Sequence, residues 1–348
     1  MSESPVPRLP AEWAPQSGVM LTWPHAHGDW SDALPAVERV FLDMAREITA
    51  HERLLISCYD AEHRTQVQAD LSAADVNLSR TRLEIAASND SWVRDHGPLT
   101  VIDRGRPRLL NFGFNGWGGK FDAGLDDRLT LRLHEQGVFP DTPLTPVPLV
   151  MEGGAVETDG RGTLLATRSA MLTETRNPGL SETALEELLE EWLGMERFLW
   201  LSHGHLEGDD TDGHIDTLAR FCDARTIAYV RCDDTTDPHY PALQAMADEL
   251  RAFRDASGAP YRLIPLPWPE PKYDGDGQRL PATYANFLII DGAVLVPTYQ
   301  DPADPAALEI LQGCFPDRRV IGIDCLPLIE QHGSLHCVTM QLPSGVLT

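Results

Sequence analysis

The sequence predicts an α/β fold in one domain spanning residues 1–348, and three observations carry that expectation. Apolar residues at helical spacing alternate along the whole chain with short apolar runs bounded by Gly, Asp and Pro. No Ser- or Gly-rich linker divides the chain. The densest polar motifs, centred on Asp95, Glu152, His214 and Cys337, are separated by 57, 62 and 123 residues. The longest gap is about twice the others, and a repeat of about 60 residues would fit the chain five times and bring equivalent loops around one axis.

The elements follow in order. A first strand is expected at 18–23 and a second at 54–58, with a helix between them where Leu34, Val37, Phe41, Met44 and Ile48 recur at helical spacing. A weaker helical pattern covers 62–71, a strand 98–102, and a second weak helix 126–136. Asp159-Gly160 reads as a hairpin turn leading into a strand at 162–167. The next helix carries Leu185, Leu188, Leu189, Trp192 and Leu193, with Ser181 as N-cap, Glu182 in its first turn and Gly194 as its stop. A strand at 226–230 precedes a helix through Leu243, Met246, Leu250 and Phe253 that should end near Gly258, followed by a Pro-rich loop at 265–271. Strands at 287–290 and 293–297, a short helix over about 305–311 and a strand at 338–342 complete the pattern.

The chain carries 28 Lys plus Arg against 53 Asp plus Glu, a formal net charge of −25. No basic run is present, which excludes a nucleic-acid backbone as partner and disfavours an anionic membrane surface. A negative surface instead concentrates small cations, although solubility accounts for most of the acidity and net charge alone locates no site. There is no stretch of 18 uncharged apolar residues, and residues 1–13 lack the basic and apolar regions of a signal peptide. The six cysteines form no CxxC pair, which points to reduced thiols in a cytoplasmic protein. One of them is then available as a nucleophile.

Four polar segments stand out. The first, 89–98, packs Asn89, Asp90, Trp92, Arg94, Asp95 and His96 ahead of a Gly-Pro break. A loop with nothing to bind has little use for so large an apolar ring, and a carboxylate beside an aromatic suits a cationic ligand. The second places Glu152 before Gly153-Gly154, glycines that permit close backbone approach to an acid. The third, 202–216, holds three His and five acids, yet its spacing fits neither a metalloprotease helix nor a calcium-binding loop. Within it His214 and Asp216 lie two apart, and in an extended segment they would share a face as an acid/base and its charged neighbour. In the fourth segment Cys337 follows His336. Adjacent strand residues point to opposite faces, so a more distant histidine should serve Cys337, and His214 is the best candidate.

Taken in order, these segments resemble the agmatine deiminase and bacterial peptidylarginine deiminase family of the guanidine-modifying (pentein) superfamily. The resemblance runs from Pro10-Ala11-Glu12-Trp13 and Leu21-Thr22-Trp23-Pro24, through 89–98, Phe114-Asn115-Gly116-Trp117-Gly118-Gly119-Lys120, Glu152-Gly153-Gly154, Gly213-His214-Ile215-Asp216 and Tyr284-Ala285-Asn286-Phe287, to His336-Cys337-Val338-Thr339. It implies a five-bladed α/β propeller of ββαβ modules. It also implies hydrolysis of a guanidinium group to a urea with release of ammonia, without cofactor or metal. Cys337 would be the nucleophile, His214 the general acid/base, Asp95 and Asp216 the holders of the guanidinium nitrogens, and Glu152 the residue orienting His214. Trp92, Asn89, Arg94 and Trp117 would contribute to substrate binding. A homodimer is possible.

The fourth segment departs from the pattern common in agmatine deiminases, with Gly333-Ser334 where consecutive glycines are usual and Thr339-Met340-Gln341 where Thr-Gln-Gln is usual. Agmatine is favoured as substrate, with N-carbamoylputrescine as product and a place in putrescine synthesis, and peptidyl arginine is the alternative. An amidinotransferase and a non-catalytic cation- or metal-binding protein built on 203–216 are further alternatives.

Overall fold

The computed structural model describes residues 6–347, so the first five positions of the 1–13 reading lie outside it. The fold is α/β. Its β-structure is divided into five small sheets and one two-stranded ribbon among the described residues. Four of the sheets are built alike: an antiparallel pair, then a helical crossover, then a parallel strand. These are Leu99–Asp103, Arg106–Gly113 and Leu144–Val150; Glu157–Thr158, Thr163–Thr167 and Arg197–Leu201; Ala219–Asp223, Thr226–Val230 and Arg262–Leu266; and Leu288–Ile290, Ala293–Thr298 and Arg319–Asp324. The remaining sheet follows the same plan with its antiparallel member drawn from the far end of the sequence. Met340–Pro343 pairs antiparallel with Gln16–Thr22, which runs parallel to Arg53–Cys58 and through it to Thr81–Ile85.

The helices obey the local signals. Leu34–His51 buries Val37, Phe41, Met44 and Ile48 along one stripe. Glu182–Leu193 starts where the Ser181 hydroxyl accepts a hydrogen bond from the Ala184 N–H and stops at Gly194, which adopts the left-handed conformation. Tyr240–Ala252 ends earlier than the sequence suggested. Phe253 is already extended, and the Asp255 carboxylate then collects the N–H groups of Ser257 and Ala259 into a turn before Gly258 can act as a cap. Asp304–Cys314 and Leu129–Glu135 fall where short helices were expected. Leu144–Val150 escapes a propensity reading because it contains Pro146 and Pro148. It is an edge strand, where the missing N–H groups cost no ladder bonds.

Two apolar clusters lie under the sheets. One includes Phe41, Phe221 and Phe287; the other includes Leu109, Leu164 and Leu189. No helix among the described residues is long and apolar enough to cross a membrane.

Candidate active site

In every sheet, the loop entering the first antiparallel strand delivers at least one polar residue to a common place. Asp95 lies in the helical turn Val93–His96 just ahead of Leu99–Asp103. Glu152 and the turn Gly153–Ala155 precede Glu157–Thr158. His214 and Asp216 bracket the start of the turn Ile215–Thr217, ahead of Ala219–Asp223. Asn286 precedes Leu288–Ile290, and Cys337 precedes Met340–Pro343. The segment holding His214 and Asp216 is thus a tight turn rather than extended chain, yet both residues reach the same site.

The paired glycines make that convergence possible. A Cβ on Gly153 would clash with the Arg94 carbonyl oxygen. A Cβ on Gly154 would meet His214 Nδ1 at 2.5 Å, Asp95 Oδ1 at 2.8 Å and Asp216 Oδ2 at 3.2 Å. Three of the candidate groups therefore pack around one backbone atom, and any side chain at position 154 would displace them. The Gly154 N–H also donates to Asp95 Oδ1 at 2.9 Å, while the Trp117 indole N–H donates to Asp95 Oδ2 at 2.9 Å.

His214 sits between two carboxylates. Its Nδ1 is 3.6 Å from Asp95 Oδ1 and its Nε2 is 3.7 Å from Glu152 Oε2. Burial works against an imidazolium here, but Asp95, Glu152 and Asp216 outweigh it and lift His214 to about 9. Glu152 is fixed from behind by Arg176, whose Nε donates to both carboxylate oxygens at 2.8 Å. Burial opposes its ionisation, yet His214 and Arg176 together hold it below the usual carboxylate range. Asp95 behaves in the opposite way. Burial, reinforced by the neighbouring charges of Asp216 and Glu152, pushes it up to about 6.

The Cys337 sulfur lies 3.3 Å from Asn286 Nδ2 and 3.8 Å from Asp216 Oδ2. Burial and the charges of Asp216 and Asp95 raise its thiol well above the ordinary range, so without substrate it is protonated at neutral pH. Asp216 is the shared piece: its Oδ2 also meets His336 Nδ1 at 2.8 Å, while its Oδ1 is buried with no hydrogen-bond partner among the described residues. His336 cannot serve Cys337 as a base, and the reason is its bonding rather than strand alternation. The residues stand in a turn, and the other ring nitrogen of His336 is taken by Glu12 Oε2 at 2.8 Å.

These groups stand at the bottom of a cleft of about 860 Å³. Asp95, Asp216, Cys337, Trp92, Trp117 and Asn89 line it, whereas His214 and Glu152, each 1% exposed, stand behind it. The Asn89 side chain is largely committed to the loop itself, its Oδ1 accepting from the Leu125 N–H at 2.7 Å. Arg94, expected among the substrate contacts, does not line the cleft. Its guanidinium is buried underneath, donating to Gln341 Oε1 at 2.6 Å and to the His336 carbonyl at 3.3 Å. The acidic, His-rich stretch at 203–216 is spent on internal contacts as well. His203 pairs with Glu249, Asp209 accepts from the Thr211 and Gly213 N–H groups, and Asp212 pairs with Lys120 and Arg176. Among the described residues no three His, Cys, Asp or Glu side chains converge as a metal site.

Sequence reasoning gave no role to Asn286, Arg176 or Glu12. A signal existed for the first: the 123-residue gap between His214 and Cys337 spans two sheets and should hold a fifth polar loop, and Asn286 occupies it. Arg176 acts from another segment and nothing in its local sequence announces it, whereas Glu12 lies in Pro10-Ala11-Glu12-Trp13, a segment of the resemblance that carried no role.

A thiol facing carboxylates at the bottom of an acidic cleft is the equipment of an enzyme that does covalent chemistry on a cation. The profile of the Porphyromonas-type peptidyl-arginine deiminase family matches residues 8–343, and the chain belongs to that family. An agmatine deiminase of Stutzerimonas stutzeri is 34% identical, over 97% of this chain and 95% of its own length. Among solved structures, a Porphyromonas gingivalis protein described as a "Putative Arginine Deiminase" is 52% identical with a TM-score of 0.92, covering 98% of this chain and 100% of its own. A variant of the C. jejuni agmatine deiminase with substrate bound is 32% identical with a TM-score of 0.90, covering 98% of this chain and 97% of its own.

Proposed function

We propose that the protein hydrolyses the C–N bond of a guanidinium substrate, agmatine first of all, giving N-carbamoylputrescine and ammonia through a covalent Cys337 adduct. The observation that carries this reading is the meeting of Asp95, Asp216 and His214 around the Gly154 backbone beside the Cys337 thiol. Two carboxylates on a guanidinium localise a charge that resonance otherwise spreads, and they expose its carbon to attack. The arriving cation also lowers the cost of forming the thiolate, which the site alone disfavours, and the thiol proton leaves to water in the cleft. Cys337 Sγ attacks the carbon, His214 as imidazolium gives its proton to the departing nitrogen, and ammonia leaves. His214, now neutral, takes a proton from water. The hydroxide adds to the adduct carbon, the C–S bond breaks, and the departing sulfur takes the hydroxyl proton, so the thiol returns as the neutral urea is released. Glu152, held by Arg176, stabilises the imidazolium in both half-reactions.

The cleft chemistry supports agmatine over free arginine. Nine carboxylic side chains and a single lysine line it among the described residues, and that Lys120 already donates to the Asp212 carboxylate at 2.8 Å. An α-carboxylate at the far end of the substrate would meet mainly like charge there, whereas an ammonium would be welcome. Peptidyl arginine is the second reading, favoured by the description of the matching family. The five alike sheets, each sending one loop to the site, support a closed five-bladed α/β propeller around the cleft. A screen for ureido product across agmatine, free arginine and arginine peptides tests the substrate. Agmatine should be turned over fastest by at least about tenfold, and preferential turnover of a peptide would overturn that choice. Ammonia release without any amine acceptor separates this hydrolysis from amidino transfer.

A further inference from the structure

We propose that the Asn286 side-chain amide is a further catalytic residue that touches the reacting sulfur and follows its change of protonation state. The inference rests on the reading of Cys337 as nucleophile. Asn286 is fully buried and does not line the cleft. Its orientation is fixed on both sides. Oδ1 accepts from the His336 N–H at 2.9 Å and from the Cys337 N–H at 3.4 Å, and Nδ2 donates to the Asp216 carbonyl at 3.3 Å. An amide flipped end for end would lose all three bonds, so the nitrogen is the end that must face the acceptor. The Cys337 sulfur then lies almost equidistant from the two ends, 3.4 Å from Oδ1 and 3.3 Å from Nδ2.

That position serves both states of the sulfur. As a thiol, Cys337 can donate a hydrogen bond to Oδ1 or to Asp216 Oδ2. Once the proton has gone, Oδ1 has nothing to offer, and Nδ2 becomes a donor to the thiolate. No side chain has to move between the two. The donor matters because the other groups around the sulfur oppose its charge. Burial, Asp216 and Asp95 disfavour the thiolate, whereas the backbone at Ser334 and the Asn286 amide favour it. The same donor would steady the sulfur when it leaves from the adduct.

Asn286→Ala removes the donor without adding charge. Asn286→Asp keeps the size and the acceptor for the two N–H groups, so it guards against a variant that fails to fold. Both should lower kcat about tenfold to hundredfold while KM stays within about threefold, the size of loss that one hydrogen bond to a charged group produces. The decisive readout is the pH dependence of Cys337 alkylation by iodoacetamide, whose midpoint should rise by about one unit in Asn286→Ala and more in Asn286→Asp. An unchanged midpoint in Asn286→Ala, with lowered thermal stability alone, would overturn the proposal and leave Asn286 a brace for the 336–337 turn. Turnover that survives in Cys337→Ala would instead bring down the nucleophile assignment, and this proposal with it.

Discussion

Two buried charge clusters meet at Asp216, and they are built on opposite terms. In the first, Arg220 is wholly enclosed and fully satisfied. Its Nε donates to Glu157 Oε2 at 2.7 Å, its Nη2 to Glu12 Oε2 at 2.9 Å, and its Nη1 to the Phe287 carbonyl at 2.7 Å. Glu12 in turn takes His336 and the Ile289 N–H. In the second, His214 stands 3.6 and 3.7 Å from its carboxylates, and neither its Nε2 nor Asp216 Oδ1 has a hydrogen-bond partner among the described residues. Close, saturated bonding fixes a scaffold. Loose, incomplete bonding leaves capacity for a cation and for a proton in transit, and burial makes that incompleteness expensive enough to require a reason. The two clusters are joined through His336, so the saturated one aims the carboxylate that the unsaturated one uses.

The sharpest break in that contrast is Asp216→Asn. It should lower kcat/KM by about a thousandfold or more, since in the proposed mechanism it removes half of the guanidinium grip beside Cys337. Turnover within about tenfold of the parent would place the reaction elsewhere. Arg220→Met should do the reverse and cost stability first, about 3–5 kcal/mol in urea unfolding, because Glu12 and Glu157 would be left buried without their cation. Equal loss of activity and stability in both variants would erase the distinction between the clusters. Glu152→Gln should reduce kcat about a hundredfold, as weakened support of an acid/base does.

The same variant sharpens the pH profile. In the proposed mechanism Asp95, lifted to about 6, must be ionised to hold the substrate, so kcat/KM should fall as pH drops through about 6. In the same mechanism His214, lifted to about 9, must be protonated to assist ammonia, so activity should fall again as pH rises through about 9. Since Glu152 is one of the charges raising both His214 and Asp95, Glu152→Gln should move the alkaline and the acid limbs downward together. The smallest effect belongs to the surface. Raising ionic strength should lower kcat/KM only severalfold by screening the acidic approach to the cleft.

Much of this was legible in the sequence because the repeat spaces its chemistry regularly. Asp95, Glu152, His214 and Cys337 fall where equivalent loops must fall, and the double gap between the last two predicts the loop that Asn286 fills. The α/β alternation was legible for strands with apolar runs, such as Thr226–Val230 and Ala293–Thr298, and illegible for Leu144–Val150, whose prolines are admissible only at an edge. Arg94 misled for a physical reason. Its neighbours in sequence reach the cleft, but a four-residue helical turn sends successive side chains in different directions, and Arg94 points into the protein. The roles of Arg176 and Glu12 could not be read, since they arise from contacts with residues that folding alone brings near.

The pairing of Met340–Pro343 with Gln16–Thr22 has a kinetic consequence. Gly18 lies opposite Leu342 across almost the full length of the sequence, and Cys337 stands just before the strand that makes this pairing. Until that strand docks, the edge of Gln16–Thr22 is bare and the thiol is not in register with Asp216 or Asn286. Refolding should therefore regain helical signal and tryptophan burial well before it regains the ability to form the adduct, because the longest loop in the chain is the last to close. The docking of Met340–Pro343 on Gln16–Thr22 works as a latch: only then does the sulfur stand beside Asp216 and Asn286, and until then Cys337 is an ordinary thiol with no partner groups around it.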